Sequence, residues 1–149
     1  MQATHPTSPA EGEPFVAQRL IRFGHCDPAG IVFFPRYFEL LNGVVEDWWG
    51  HIGLPWTELI TERRVGMPTA QLDTAFVAPS RLGETLRFEL RVARLGSSSL
   101  HLDHRVVGER GDERVRFAQC LVATSLDTHR PIPWPADLRE AIHRFKETA

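Results

Sequence analysis

A chain of 149 residues has room for one domain with a proper core, and its 42% hydrophobic and 24% charged residues are those of an ordinary globular protein. The formal net charge of -2 builds no basic field, which argues against nucleic acid as a partner. No apolar stretch approaches the roughly 20 residues that span a bilayer, and the two cysteines, Cys26 and Cys120, have neither zinc-ligand spacing nor a disulfide framework.

Met1 to Pro14 is rich in Thr, Pro and Glu and lacks the apolar run of a signal peptide; a disordered tail over 1–14 is expected, followed by a single domain over 15–149. Cysteines that stay reduced point to the cytoplasm. Phe15 to Phe23 alternates loosely and predicts a first strand. The run Cys26-Asp27-Pro28-Ala29-Gly30 is a turn. Pro35 suits the first helical position. Beyond it Phe34, Phe38, Leu41, Val45, Trp48 and Ile52 recur at spacings of 4, 3, 4, 3 and 4, one helix face that Tyr37, Leu40 and Val44 widen. Such a broad apolar arc is expected to be wrapped by a sheet. Gly50, Gly53 and Pro55 stop it.

Strands follow. Met67 to Val77 is one. Thr85 to Arg94 alternates cleanly, with Leu86, Phe88, Leu90 and Val92 inward and Arg87, Glu89 and Arg91 outward. Ser98 to Val107 turns Leu100, Leu102 and Val106 inward, a hairpin is signalled at Gly108 to Asp112, and Arg114 to Leu126 is the last long strand. Pro131, Pro133 and Pro135 break it before a short amphipathic helix over Ala136 to Lys146. The order is strand, long apolar helix, four strands, short helix, an α+β domain for which a curled antiparallel sheet of about five strands around one helix is one arrangement.

Asp27 is the first candidate for chemistry. A carboxylate in a turn that leads into a helix N-terminus can serve as nucleophile or general base, while unpaired backbone N–H groups and the positive dipole end can polarise a carbonyl. Gly30 lets a ligand come close to the backbone. On residue types alone, Asp27 as a turn cap is the commoner reading.

The run Phe23-Gly24-His25-Cys26-Asp27-Pro28-Ala29-Gly30-Ile31-Val32-Phe33-Phe34-Pro35-Arg36-Tyr37-Phe38 closely resembles the signature of the 4-hydroxybenzoyl-CoA thioesterase family, acyl-CoA thioesterases of the hotdog fold. Weaker echoes are Glu62-Arg63 with Val65-Gly66-Met67-Pro68, and Pro135-Ala136-Asp137. The resemblance implies hydrolysis of an acyl-CoA thioester by a homodimer or homotetramer. Asp27 falls on the catalytic aspartate, acting as nucleophile or as base for water. Phe34 falls on the residue whose backbone N–H holds the thioester oxygen, and Arg130 on an arginine that contacts coenzyme A phosphate. Departures are as informative. A well-studied member has two Arg and a Lys where this chain has Gly96-Ser97-Ser98, so Ser97, Ser98 or loop amides would replace part of that grip. It has an Asp where this chain has Asn42 and a Thr where it has Met67, both at the acyl group.

His25, two residues before Asp27, is a candidate to tune or orient the carboxylate or is a solvated turn histidine. His101, Asp103 and His104 suggest metal ligands, but in a strand His104 points away from the other two, and a surface cluster is the better reading. Trp48 and Trp49 read as core packing. Arg87, Arg91 and Arg94 make a basic outer face, with Arg94 a candidate for coenzyme A phosphate. No metal and no redox cofactor is expected, since coenzyme A enters as part of the substrate. Two further readings stay open: a non-catalytic acyl-CoA-binding protein on the same fold, and a hydratase or dehydratase using His25 and Asp27.

Overall fold

In the computed structural model, which describes residues 12–148, the elements in chain order are β1 (Phe15–Leu20), α1 (Pro35–His51), α2 (Trp56–Thr61), β2 (Val65–Gly66), β3 (Thr69–Phe76), β4 (Thr85–Leu95), β5 (Ser99–Val107), β6 (Glu113–Val122), β7 (Thr124–Ser125) and α3 (Ala136–Thr148). Of the tail expected at 1–14, residues 1–11 lie outside the described residues. Five strands form one antiparallel sheet in the order β1-β4-β5-β6-β3, and β2 pairs separately with β7. The class is α+β, as the element order predicts.

One side of the sheet is apolar because alternate residues of β4, β5 and β6 point there: Leu86, Phe88, Leu90, Leu100, Leu102, Val106, Val115, Phe117 and Leu121 are all buried. Against them lies α1, opened by Pro35, with Tyr37, Leu41, Val44, Val45, Trp48 and Trp49 buried. Side chains as large as the two tryptophans, both 0% exposed, are worth about 1.5–3 kcal/mol each in burial. The buried stripe therefore runs through Tyr37, not through Phe34 as the spacing predicts. Phe34 is the N-cap, ahead of the first turn, and its ring is 55% exposed.

Several element bounds differ from expectation for local reasons. The first strand ends at Leu20, and Phe23–His25 is a 3-10 turn. The strand expected over Met67 to Val77 runs over Thr69–Phe76, paired with β6, and is preceded by Val65–Gly66, which pairs with β7; Pro68 between them has no N–H to give. The last long strand likewise divides into β6 and β7. The six-residue α2 is too short for its periodicity to be read. In β4 a bulge between Val92 and Arg94 changes the phase: Val92 opposes Leu102 on the inner face, and Leu95 opposes Leu100 on that same face. Arg94 thereby faces outward opposite His101. The outer-face arginines Arg87 and Arg105 are interleaved with Glu89 and Glu113, so no single-sign field builds up there.

The surface cluster expected at His101, Asp103 and His104 needs one correction. His101 and Asp103 are half-buried on the outer face, but His104 is 3% exposed, in the core beside Phe117. Its Nε2–H donates to Gln119 Oε1 at 2.8 Å, and Gln119 Nε2 donates to Thr69 Oγ1 at 2.9 Å. Burial pushes the imidazole's pKa down to about 4, so it is neutral near pH 7.

A candidate active site at the start of helix α1

Residues 26 to 32 fold into a tight hairpin that delivers the chain to α1. Cys26 and Val32 are bridged, Asp27 N–H donates to Ile31 O at 2.9 Å, and Gly30 N–H donates to Asp27 O at 2.9 Å. Gly30 has φ +77°, a conformation that favours glycine. Ala29 N–H donates to Asp27 Oδ1 at 2.8 Å, so the capping role read from residue type is present. It engages one carboxylate oxygen; Oδ2 accepts no hydrogen bond among the described residues. The carboxylate is half-buried.

Phe33 N–H donates to His25 O at 2.9 Å, which draws the hairpin against the residue preceding Phe34. Phe34 N–H has no acceptor among the described residues, as befits one of the unpaired donors at a helix N-terminus. One short hairpin thus carries a half-buried carboxylate in its turn and leads to a free backbone donor at the helix start. Around them is an aromatic surface: Phe34 lies 5.6 Å from Phe33 and 6.1 Å from Phe76, ring centre to ring centre, and Phe76 in turn meets Tyr37 and Phe38. Phe33, Phe34 and Phe76 are each about half exposed.

The hairpin's other side is bonded to the segment before β4. Val32 N–H donates to Ser80 O at 2.9 Å, Leu82 N–H donates to Gly30 O at 3.0 Å, and Ile31 is bridged to Arg81. Sequence reasoning missed this support, which rests on Arg114. As an outlying arginine at a strand start it carries no local signal.

The other candidate residues are spread more widely. His25 Nδ1 accepts from Arg22 N–H at 2.9 Å, closing the 3-10 turn, and no hydrogen bond joins it to Asp27. Asn42 is exposed on α1, and Met67 is half-buried between β2 and β3. Ser97 and Ser98 lie in the β4–β5 loop. A ladder runs from there to Arg130: Ala123 N–H donates to Ser98 O, Ile132 N–H to Ala123 O, and Ser125 N–H to Arg130 O. Arg130 is exposed at its far end. Arg139 of α3, which sequence reasoning also missed, donates to Gly96 O at 2.5 Å and brings a guanidinium to the same loop. Arg94 Nη2 lies 3.1 Å from His101 Nε2, on the outer sheet face and away from that loop's ladder.

Two open grooves, of about 440 Å³ on the outer sheet face and about 810 Å³ beside Arg81 and Arg110, are lined by other residues than Asp27. No group of three or more His, Cys, Asp or Glu side chains among the described residues could hold a metal ion, and no helix among them is long and apolar enough to cross a membrane.

Comparison with known proteins shows the family. The family model of the thioesterase-like superfamily matches residues 21–142. The 4-hydroxybenzoyl-CoA thioesterase of Pseudomonas sp. strain CBS-3 is 34% identical over 91 residues, 60% of this chain and 64% of that enzyme. A 1,4-dihydroxy-2-naphthoyl-CoA hydrolase of Thermosynechococcus vestitus is 28% identical over 129 residues, 83% of this chain and 88% of the relative. The solved structure of the Pseudomonas enzyme superposes with a TM-score of 0.79 at 29% identity, covering 87% of this chain and 99% of that one.

Proposed function

The chain belongs to the thioesterase-like superfamily, and on that premise we propose that it hydrolyses an aromatic or short- to medium-chain acyl-CoA thioester at the Asp27 carboxylate. The observation that carries this reading is a carboxylate with one uncommitted oxygen in the hairpin that leads to the free Phe34 N–H at the start of α1. Asp27 either attacks the thioester carbon, expelling the coenzyme A thiolate and leaving an anhydride that water opens, or takes a proton from the attacking water. Both routes end in free acid and coenzyme A, and neither calls for a metal or a redox cofactor. The Phe34 N–H and the helix dipole receive the charge that develops on the carbonyl oxygen. The bond from Ala29 N–H holds the carboxylate in one orientation.

The relatives named above are named for aromatic acyl-CoA substrates. The half-exposed rings of Phe33, Phe34 and Phe76 supply a surface on which such an acyl group would stack. Arg130, with Ser97 and Ser98, is assigned to coenzyme A phosphate, and Asn42 and Met67 to the acyl group. Edge strand β3 pairs with β6 on one side only and is exposed along most of its length, which favours a homodimer, or a tetramer of dimers, built on that edge. A reducing cytoplasm suits the free thiols of Cys26 and Cys120.

Thiol release from benzoyl-CoA, followed with a thiol reagent, tests the assignment. Asp27→Asn is expected to keep its fold and acyl-CoA binding and to lose at least ~100-fold in kcat. A variant that keeps most of its kcat overturns the catalytic role.

A further inference from the structure

Arg114 is 9% exposed at the start of β6, and its side chain is committed to the segment that backs the Asp27 hairpin. Its Nη1 donates to Pro79 O at 3.2 Å, to Ser80 Oγ at 3.2 Å and to Glu84 Oε1 at 3.0 Å. Nη2 donates to Glu84 Oε2 at 2.7 Å and Nε to Asp112 Oδ2 at 2.7 Å. The carbonyl of the same residue accepts from Val77 and Ala78 N–H at 2.8 and 3.2 Å. One arginine thus ties down residues 77–84 with both main chain and side chain. The guanidinium holds the Glu84 carboxyl below its usual pKa, so the fork stays charged on both sides well into acid.

Ser80, 0% exposed, is where this clasp meets the site. Its carbonyl takes the Val32 N–H, its hydroxyl takes Arg114 Nη1, and the phenol of Tyr37, from the first turn of α1, packs against it. Apolar burial anchors the hairpin at its ends, where Val32 is 7% exposed in the core and Cys26 packs against it. Pro28 and Ala29 are exposed, and Asp27, Gly30 and Ile31 are half-buried. Hydrogen bonds to residues 80–82, together with the packing of Val32, therefore set where Asp27 stands relative to α1.

We propose that Arg114 is a positioning residue for the reaction: through Ser80 and Glu84 it fixes the 80–82 segment, and through that segment the distance between the Asp27 carboxylate and the start of α1. The proposal rests on the reading of Asp27 as the reacting carboxylate. A planar fork that meets two carboxylates and a carbonyl at once has no equivalent in lysine.

The test is a double-mutant cycle of Arg114→Lys and Asp27→Asn, read as kcat and KM for benzoyl-CoA with circular dichroism and sedimentation as controls on the fold. Arg114→Lys is expected to keep the fold, to change KM by less than about twofold and to lower kcat by ~10- to 100-fold, the penalty of a misplacement near 1 Å. In the Asp27→Asn background it is expected to lower kcat no further, because the carboxylate it places is gone. A folded Arg114→Lys with unchanged kcat overturns the proposal, as does an equal loss in both backgrounds. An active Asp27→Asn single variant would instead overturn the reading of Asp27. Should Arg114→Lys fail to fold, Glu84→Gln decides: it keeps the shape and removes the charge, so kcat falls with KM held if the clasp positions Asp27, and stays unchanged if it does not.

Discussion

The buried imidazole of His104 makes the fold sensitive to acid in a way that can be calculated. In the folded chain its pKa is pushed from 6.5 down to about 4 by burial, whereas the unfolded chain titrates near 6.5. The unfolded state therefore takes up a proton below pH 6.5 that the folded state refuses until about pH 4. Stability from this group is complete above pH 6.5 and is lost as the pH falls towards 4. At about 1.4 kcal/mol per pH unit, the loss is about 2 kcal/mol at pH 5 and about 3 at pH 4. Glu84, Asp112 and Asp137, whose pKa values are lowered by arginine partners, act on the same side of the scale but at lower pH. Urea denaturation of the wild type and of His104→Leu at pH 7 and pH 5 isolates the contribution. The variant leaves Gln119 Oε1 without its donor and is weaker by about 1–3 kcal/mol at pH 7. Its stability should nevertheless change between the two pH values by about 2 kcal/mol less than that of the wild type. Equal pH dependence in the two proteins, or an imidazole that titrates near 6.5 by NMR, would refute the assignment of a neutral core histidine.

Three further outcomes are expected. Arg130→Ala raises KM for acyl-CoA far more than it lowers kcat and leaves hydrolysis of a short thioester without the nucleotide unchanged; equal damage to both substrates would make the residue structural. With Asn42 and Met67 at the acyl group, kcat/KM for 4-hydroxybenzoyl-CoA does not exceed that for benzoyl-CoA, and a preference of tenfold or more for the hydroxylated substrate, near 1.4 kcal/mol, contradicts that placement. Light scattering at micromolar concentration gives a dimer or tetramer, and a monomer removes the role assigned to the β3 edge.

What the sequence makes legible is whatever a local pattern encodes. The alternation in β4 and the arc of α1 place most of the core, because period 2 and period 3.6 record which face is dry. The Asp27 hairpin is legible too, since Pro28 and the left-handed Gly30 punctuate it. His104 shows the limit. Alternation turns it away from His101 and Asp103, yet a histidine in that position reads as surface until Gln119, on the next strand, is seen to pair with it. Arg114 is harder still. Its partners Glu84 and Ser80 lie 30 and 34 residues earlier, and nothing periodic joins them. Arg63 and Asp137, in two segments that each faintly echo the family signature, form a two-pronged ion pair between the end of α2 and the start of α3, a contact that only the folded chain reveals.

The bulge at Ala93 bears on how this sequence can change by insertion and deletion. Ala93 is the extra residue, so removing it alone straightens the strand and leaves Arg94 opposite His101 and Leu95 opposite Leu100, whereas pairing the present residues without a bulge would turn the guanidinium of Arg94 toward the core and expel Leu95. Burying an unpaired cation is far worse than losing one alanine. The loss of one residue from β4 is therefore absorbed at the bulge, and other changes of length fall within the Gly96–Ser98 loop beyond it.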